Sequence, residues 1–108
     1  MDYVAATRLR KEVEQRFEEV FQDWDALIAP AWPKVAEGLE DEGVMIEKAT
    51  VFNDAHVPLI TVPNGFDGDG LPTGLLIVGP KFADGLILRI AASYQQATDF
   101  HLQRPVLT

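Results

Sequence analysis

Two short apolar runs, Leu59–Val62 and Leu75–Val78, constrain this chain most. Each is rich in β-branched and aliphatic residues and is bounded by Pro or Gly. Each is too short to be a helix of ordinary length, so both are expected to be buried strands. Between them lies Asn64-Gly65-Phe66-Asp67-Gly68-Asp69-Gly70-Leu71-Pro72. This segment is dense in residues that accept positive φ or fix φ, and it reads as a loop. Both runs are apolar at nearly every position, which predicts burial on both faces, as in the interior of an α/β layer.

The elements around this unit follow from periodicity. Residues 3–24 carry Leu9, Val13, Phe17, Val20, Phe21 and Trp24 at spacings of three and four, which predicts one amphipathic helix. Its other face offers the i,i+4 pairs Arg8–Glu12, Arg10–Glu14 and Glu12–Arg16. Ala26–Ala29 reads as a buried strand stopped by Pro30 and Pro33. Lys34–Gly43 is an acidic, solvated connection. Val44–Phe52 reads either as a ragged strand or as the approach to a short helix around Thr50–Ala55. From Ala83 to about Thr98 the rows Leu86, Ile90, Tyr94 and Ile87, Ala91 predict a second long helix, with Asp84 as its N-cap. The tail carries Phe100 and Leu102 and is expected to pack back on the body.

Several chemistries are excluded by what the chain lacks. Its 108 residues suit one domain, 1–108, and a net charge of −8 disfavours a phosphate backbone as partner. Without cysteine there are no disulfides, thiolate nucleophiles or cysteine-held metals. No run approaches membrane-spanning length, so no membrane partner and a cytoplasmic location are expected. Ser93, the sole serine, falls inside the second long helix, away from any turn that would present a nucleophile. The Asp67–Leu71 loop misses the calcium-loop pattern at Leu71 and Pro72. No dinucleotide fingerprint is present either, so no cofactor is expected. His56 beside Asp54 and His101 beside Asp99 could hold a metal only if folding brought them together.

One resemblance runs through the whole chain. It is carried by Asp25-Ala26-Leu27-Ile28-Ala29-Pro30, Phe52-Asn53, Pro58 to Phe66, Gly70 to Leu75, Leu86 to Ala92, Gln96-Ala97-Thr98, His101 and Pro105. In these segments the sequence resembles the C-terminal part of the amidase signature family. The resemblance implies an α/β fold: a C-terminal slice of a layered amidase, with few mixed strands flanked by N- and C-terminal helices. It implies hydrolysis of a carboxamide C–N bond in the full-length family. It also implies that the family's Ser–cis-Ser–Lys triad precedes this region, which leaves the chain inactive alone. Asn53, His56, Pro63 and Gly65 are expected to help wall the substrate pocket, with no catalytic and no metal residue. Ala31, His56 and Leu76 depart from the usual Thr, Gly and Gln of the family. The expected partner is an N-terminal amidase-like chain or a second copy in a homo-oligomer. The competing readings are a non-catalytic dimerising module and a small metal-assisted enzyme built on His56 and His101.

Overall fold

In the computed structural model, which describes residues 2–32, 35–36, 38 and 47–107, three strands form one antiparallel sheet. The element order is α1 (Tyr3–Asp23), β1 (Leu27–Pro30), α2 (Glu47–Asp54), β2 (Leu59–Phe66), β3 (Pro72–Val78), α3 (Asp84–Ala97) and a 3-10 turn, η1 (Phe100–Leu102). The acidic connection expected at Lys34–Gly43 and the segment Val44–Ile46 lie mostly or wholly outside the described residues. The Thr50–Ala55 alternative is resolved as a helix, because α2 spans it to Asp54.

The apolar content of β3 explains its central place. It lies between the two other strands in the order β1-β3-β2. Antiparallel partners share a face. Ile77 therefore shares a face with Ile28 and Ile60, and Leu75 with Pro30 and Val62. Helix α3 covers that face, and Val62, Ile77, Ile87 and Ala91 make the buried core. Ala26, Ile60, Leu75, Ile90 and Tyr94 pack around it. Ile28 belongs to the same face but is 71% exposed, so the cover stops short of β1.

Burial on both faces holds for the end of β3, where Leu76, Ile77 and Val78 are all buried. It fails for β2, where Leu59, Thr61 and Pro63 are exposed. The reason is position: β2 is an edge strand, with one sheet neighbour rather than two. An edge also accommodates Pro63, which has no N–H to give to a ladder. Asn64 is the extra residue of a register shift between Pro63 and Gly65, a β-bulge, and Gly65 takes φ +131° there.

The turn from β2 to β3 is closed by Asp67. Its backbone N–H donates to the Leu71 carbonyl at 2.9 Å. Its carboxylate accepts the N–H groups of Asp69 and Leu71, both at 2.9 Å. That carboxylate thus serves the backbone of its own loop. At the other end of the hairpin, Gly79 N–H donates to the Pro58 carbonyl at 3.0 Å, which fixes the exit of β3 against the entry of β2.

The helix caps and exposed faces add detail to the sequence pattern and correct it at Asp84. The Asp2 carboxylate caps α1 by accepting the Ala5 N–H at 2.7 Å. At α3 the cap position belongs to Ala83, with no side-chain bond, so Asp84 is inside the first turn and not the N-cap. A carboxylate there still complements the positive helix end. Leu9 and Val20 on α1, and Trp24 just after it, remain exposed although they belong to the apolar stripe, whereas Phe17 of that stripe meets Phe52 on α2. In the tail, Phe100 stacks near Tyr94 with ring centroids 6.4 Å apart, whereas Leu102 faces solvent. None of the described helices is long and apolar enough to cross a membrane.

Candidate functional site

Two recesses flank the sheet at opposite ends of β2. Six residue steps separate Leu59 from Gly65, which is roughly 20 Å of strand. The first recess, about 260 Å³, lies between α1 and the turns that precede β2 and α3. Phe17, Phe21, Ala55, Val57 and Pro80 form its apolar walls, and Glu14, Glu18 and Lys81 supply its charge. The second recess, about 460 Å³, is open and lies where β1, β3 and the bulge of β2 meet. Ile28, Pro30, Trp32, Asn64, Thr73 and Leu75 are among the residues that line it.

Glu14 is the focus of the first recess. His56 Nδ1 donates to Glu14 Oε1, and Lys81 Nζ donates to Oε2 at 3.2 Å. Lys81 also lies 3.9 Å from Glu18. The hydrogen bond from His56, followed by that from Lys81, holds the Glu14 carboxyl below its ordinary value of 4.5. A carboxylate with a lowered folded-state pKa stabilises the fold above its ordinary value, and that contribution is lost as pH falls through the folded value. Urea-denaturation midpoints are therefore expected to decline below about pH 4.5. Glu14→Gln is expected to remove this part of the decline.

The sequence-expected i,i+4 pair Arg10–Glu14 does not form. Arg10 reaches Asp54 on α2 at 3.4 Å instead, and Glu14 is taken by His56 and Lys81. Glu14 precedes Phe17 by three residues and so lies on the same helix face, the one that meets α2. That spacing is the available sequence signal for Glu14. Lys81 has none, since it is 67 residues away.

His56 occupies the left-handed region at φ +54°. Glycine, the residue that the resemblance leads one to expect at this position, would take such a φ without strain. Leu76, where the resemblance leads one to expect glutamine, is buried in the sheet and needs no polar partner.

The residues expected to wall a pocket separate into two pairs. Asn53 and His56 lie together before β2, where the His56 N–H donates to the Asn53 carbonyl at 3.1 Å. Pro63 and Gly65 flank Asn64 in sequence; Asn64 lines the second recess, and Pro63 and Gly65 are not among its lining residues. There the Thr73 hydroxyl donates to Asn64 Oδ1 at 2.7 Å, which fixes the amide across the strand pair. A side chain at Gly65 would meet the Phe100 ring at 3.6 Å.

The described residues of these recesses do not assemble a nucleophile with a base. Ser93 is exposed on α3, and the Thr73 hydroxyl is committed to Asn64. His56 and His101 lie toward opposite ends of β2, and among the described residues no three of His, Cys, Asp and Glu converge as metal ligands.

Comparison with known proteins decides the family. The family model described as Amidase matches residues 1–88. The chain belongs to the amidase family. One subunit of the glutamyl-tRNA(Gln) amidotransferase of Halalkalibacterium halodurans is 40% identical over 112 aligned positions, covering 97% of this chain and 23% of that protein. A bacterial aryl acylamidase of the amidase signature family superposes with TM-score 0.69 at 28% identity, covering 95% of this chain and 25% of the other. A chain from a vestigial protein complex, studied for the evolutionary origins of an s-triazine catabolic enzyme, superposes with TM-score 0.82 at 25% identity. It covers 94% of this chain and 25% of that one. This amidase chain thus spans about 23% of the length of the curated relatives it matches, and its three strands and helices form part of their layered fold.

Proposed function

We propose that this chain supplies the C-terminal part of an amidase layer and a wall of its substrate site, while the groups that break the C–N bond come from a different segment. The family match over residues 1–88, with the chain equivalent to under a quarter of its relatives, carries this reading. An acyl-transfer site needs a nucleophile beside a base and oxyanion donors. The single serine of this chain, on the exposed side of α3, supports the absence of a two-serine triad.

Within that role, the clamped Asn64–Thr73 pair forms the wall at the open recess, with Pro63 and Gly65 holding Asn64 in the bulge behind it. Asn53 and His56 line the other end of β2. The bulge presents the Asn64 amide to the recess, and its bond to Thr73 keeps it there. The 71% exposed Ile28 and 63% exposed Trp24 lie toward the β1 side, where a further polypeptide layer would cover them. That cover is a complementary amidase-like chain or a second copy of this one.

The purified chain is expected to release no product above the buffer rate from simple aliphatic or aryl amides. A steady turnover that co-purifies with the 108-residue chain would overturn the proposal.

A further inference from the structure

We propose that Asn64 is a site of spontaneous covalent modification, where the side-chain amide is lost through a cyclic imide once β2 opens locally, and that the Thr73 hydroxyl guards it. Asparagine followed by glycine is the pair in which this ring closes most readily, because glycine has no side chain to crowd the attacking nitrogen. The chain holds two asparagines, and only Asn64 precedes glycine.

The chemistry needs water and nothing else. The Gly65 backbone nitrogen gives up its proton to solvent and bonds to Asn64 Cγ. The Cγ–Nδ2 bond breaks, and Nδ2 leaves as ammonia with a proton taken from water. Water then opens the five-membered imide at either of its carbonyls. One opening leaves aspartate. The other leaves isoaspartate, in which the main chain runs through the side-chain carboxyl carbon. Nothing is oxidised or reduced.

The fold holds the reactants apart and also supplies the way in. Asn64 lies in β2, and its side chain must turn back onto the Gly65 nitrogen for the ring to close. The 2.7 Å bond from the Thr73 hydroxyl points the amide across to β3 instead. Thr73 also stands opposite Gly65 in the register, so one residue of the central strand restrains both reacting partners. Phe100 covers Gly65, where a Cβ would lie 3.6 Å from its ring. The restraint is local, because β2 is an edge strand and its ladder is interrupted at this bulge. Such a segment opens without unfolding of the whole domain. The product places a carboxylate in the recess beside Ile28, Trp32 and Leu75, where an amide stood. Isoaspartate further adds a main-chain carbon and so undoes the register that the bulge sets.

Peptide mapping by mass spectrometry, with isoaspartate detection, tests the site on the full chain aged in mildly alkaline buffer. Conversion at residue 64 is expected, faster in denaturing urea than in native buffer. Asn53, in α2 and followed by Asp54, is expected to stay unconverted over the same period. Thr73→Val removes the hydroxyl and is expected to quicken conversion at residue 64 in native buffer about fivefold, the factor one ordinary hydrogen bond supplies. In urea the variant and the wild-type chain should convert at the same rate. Thr73→Ser, which keeps the hydroxyl, should stay at the wild-type rate in native buffer. No conversion at residue 64 in urea, or equal rates in urea and native buffer, would overturn the proposal. That comparison stands whether or not Thr73→Val folds. Conversion of Asn53 at the pace of Asn64, no gain in Thr73→Val, or an equal gain in Thr73→Ser would overturn it too.

Discussion

Replacing Ile77 with alanine is expected to lower the unfolding free energy by about 3 kcal/mol, within the usual range for truncating a buried aliphatic side chain. Ile77 is 1% exposed and lies on the central strand, between Ile28 and Ile60 and beneath α3. It belongs to the four-residue buried core with Val62, Ile87 and Ala91. Truncation leaves a void that the strands cannot close, because β3 is held by ladders on both sides. A core of this size gives the chain little in reserve. Urea titration followed by far-UV circular dichroism is the check. The midpoint should fall sharply for Ile77→Ala and stay nearly unchanged for Ile28→Ala. Equal losses at the two sites would mean that the covered face extends over β1.

The second large effect is expected at Gly79, by added volume instead of lost volume. A Cβ there would stand 2.6 Å from Ile87 Cγ2 and 3.7 Å from Ala83 Cβ. Ile87 is itself buried in the core, so it has no free space into which to turn. Gly79 also donates the 3.0 Å bond to Pro58, and sliding the backbone aside to admit a methyl group strains that bond. Gly79→Ala is therefore expected to destabilise the fold by about 1–3 kcal/mol. The double variant Gly79→Ala, Ile87→Val makes the mechanism testable. Removing a methyl from Ile87 should recover part of the loss caused by the added Cβ, although Ile87→Val alone destabilises by about 1 kcal/mol. Strictly additive losses would place the cost in the backbone and not at the Ile87 contact.

The same residues show what is legible in the sequence. Leu59–Val62 and Leu75–Val78 signal their strands because uninterrupted apolar runs between Pro and Gly have few other uses. The long helices are legible from their spacing, since Phe17, Phe21, Ile87 and Ala91 recur with the helical period. Pairing is not legible. β1 joins β3 in register Leu27 with Val78, across some fifty residues of chain, and no local signal marks such a partner. Local rules also lose to tertiary geometry at Asp84, where the chain enters α3 one residue earlier than the capping preference suggests. Edge position overrides the apolar pattern of β2 and leaves Leu59 and Thr61 exposed.

The candidate site is legible in the same uneven way. The resemblance leads one to expect glycine at position 56, and the backbone there takes φ +54°, which glycine adopts without strain. The partners of that histidine are not foreseeable, because Glu14 and Lys81 come from separate elements. Asn64 carries no sequence signal between Pro63 and Gly65, although it is the bulge residue whose amide is clamped by Thr73. A one-residue shift in register moves a side chain to the other face, and a bulge cannot be located from alternation alone in a segment that contains Pro and Gly.

Association with the rest of the layer tests the central claim most directly. The purified chain would be mixed with the complementary N-terminal remainder of the Halalkalibacterium halodurans amidotransferase subunit. The mass of the product would be read by size-exclusion chromatography with light scattering. The account predicts a one-to-one complex, with protection of the Trp24–Pro30 segment in amide exchange. Two unassociated species, with Trp24 and Ile28 equally exposed before and after mixing, would contradict it.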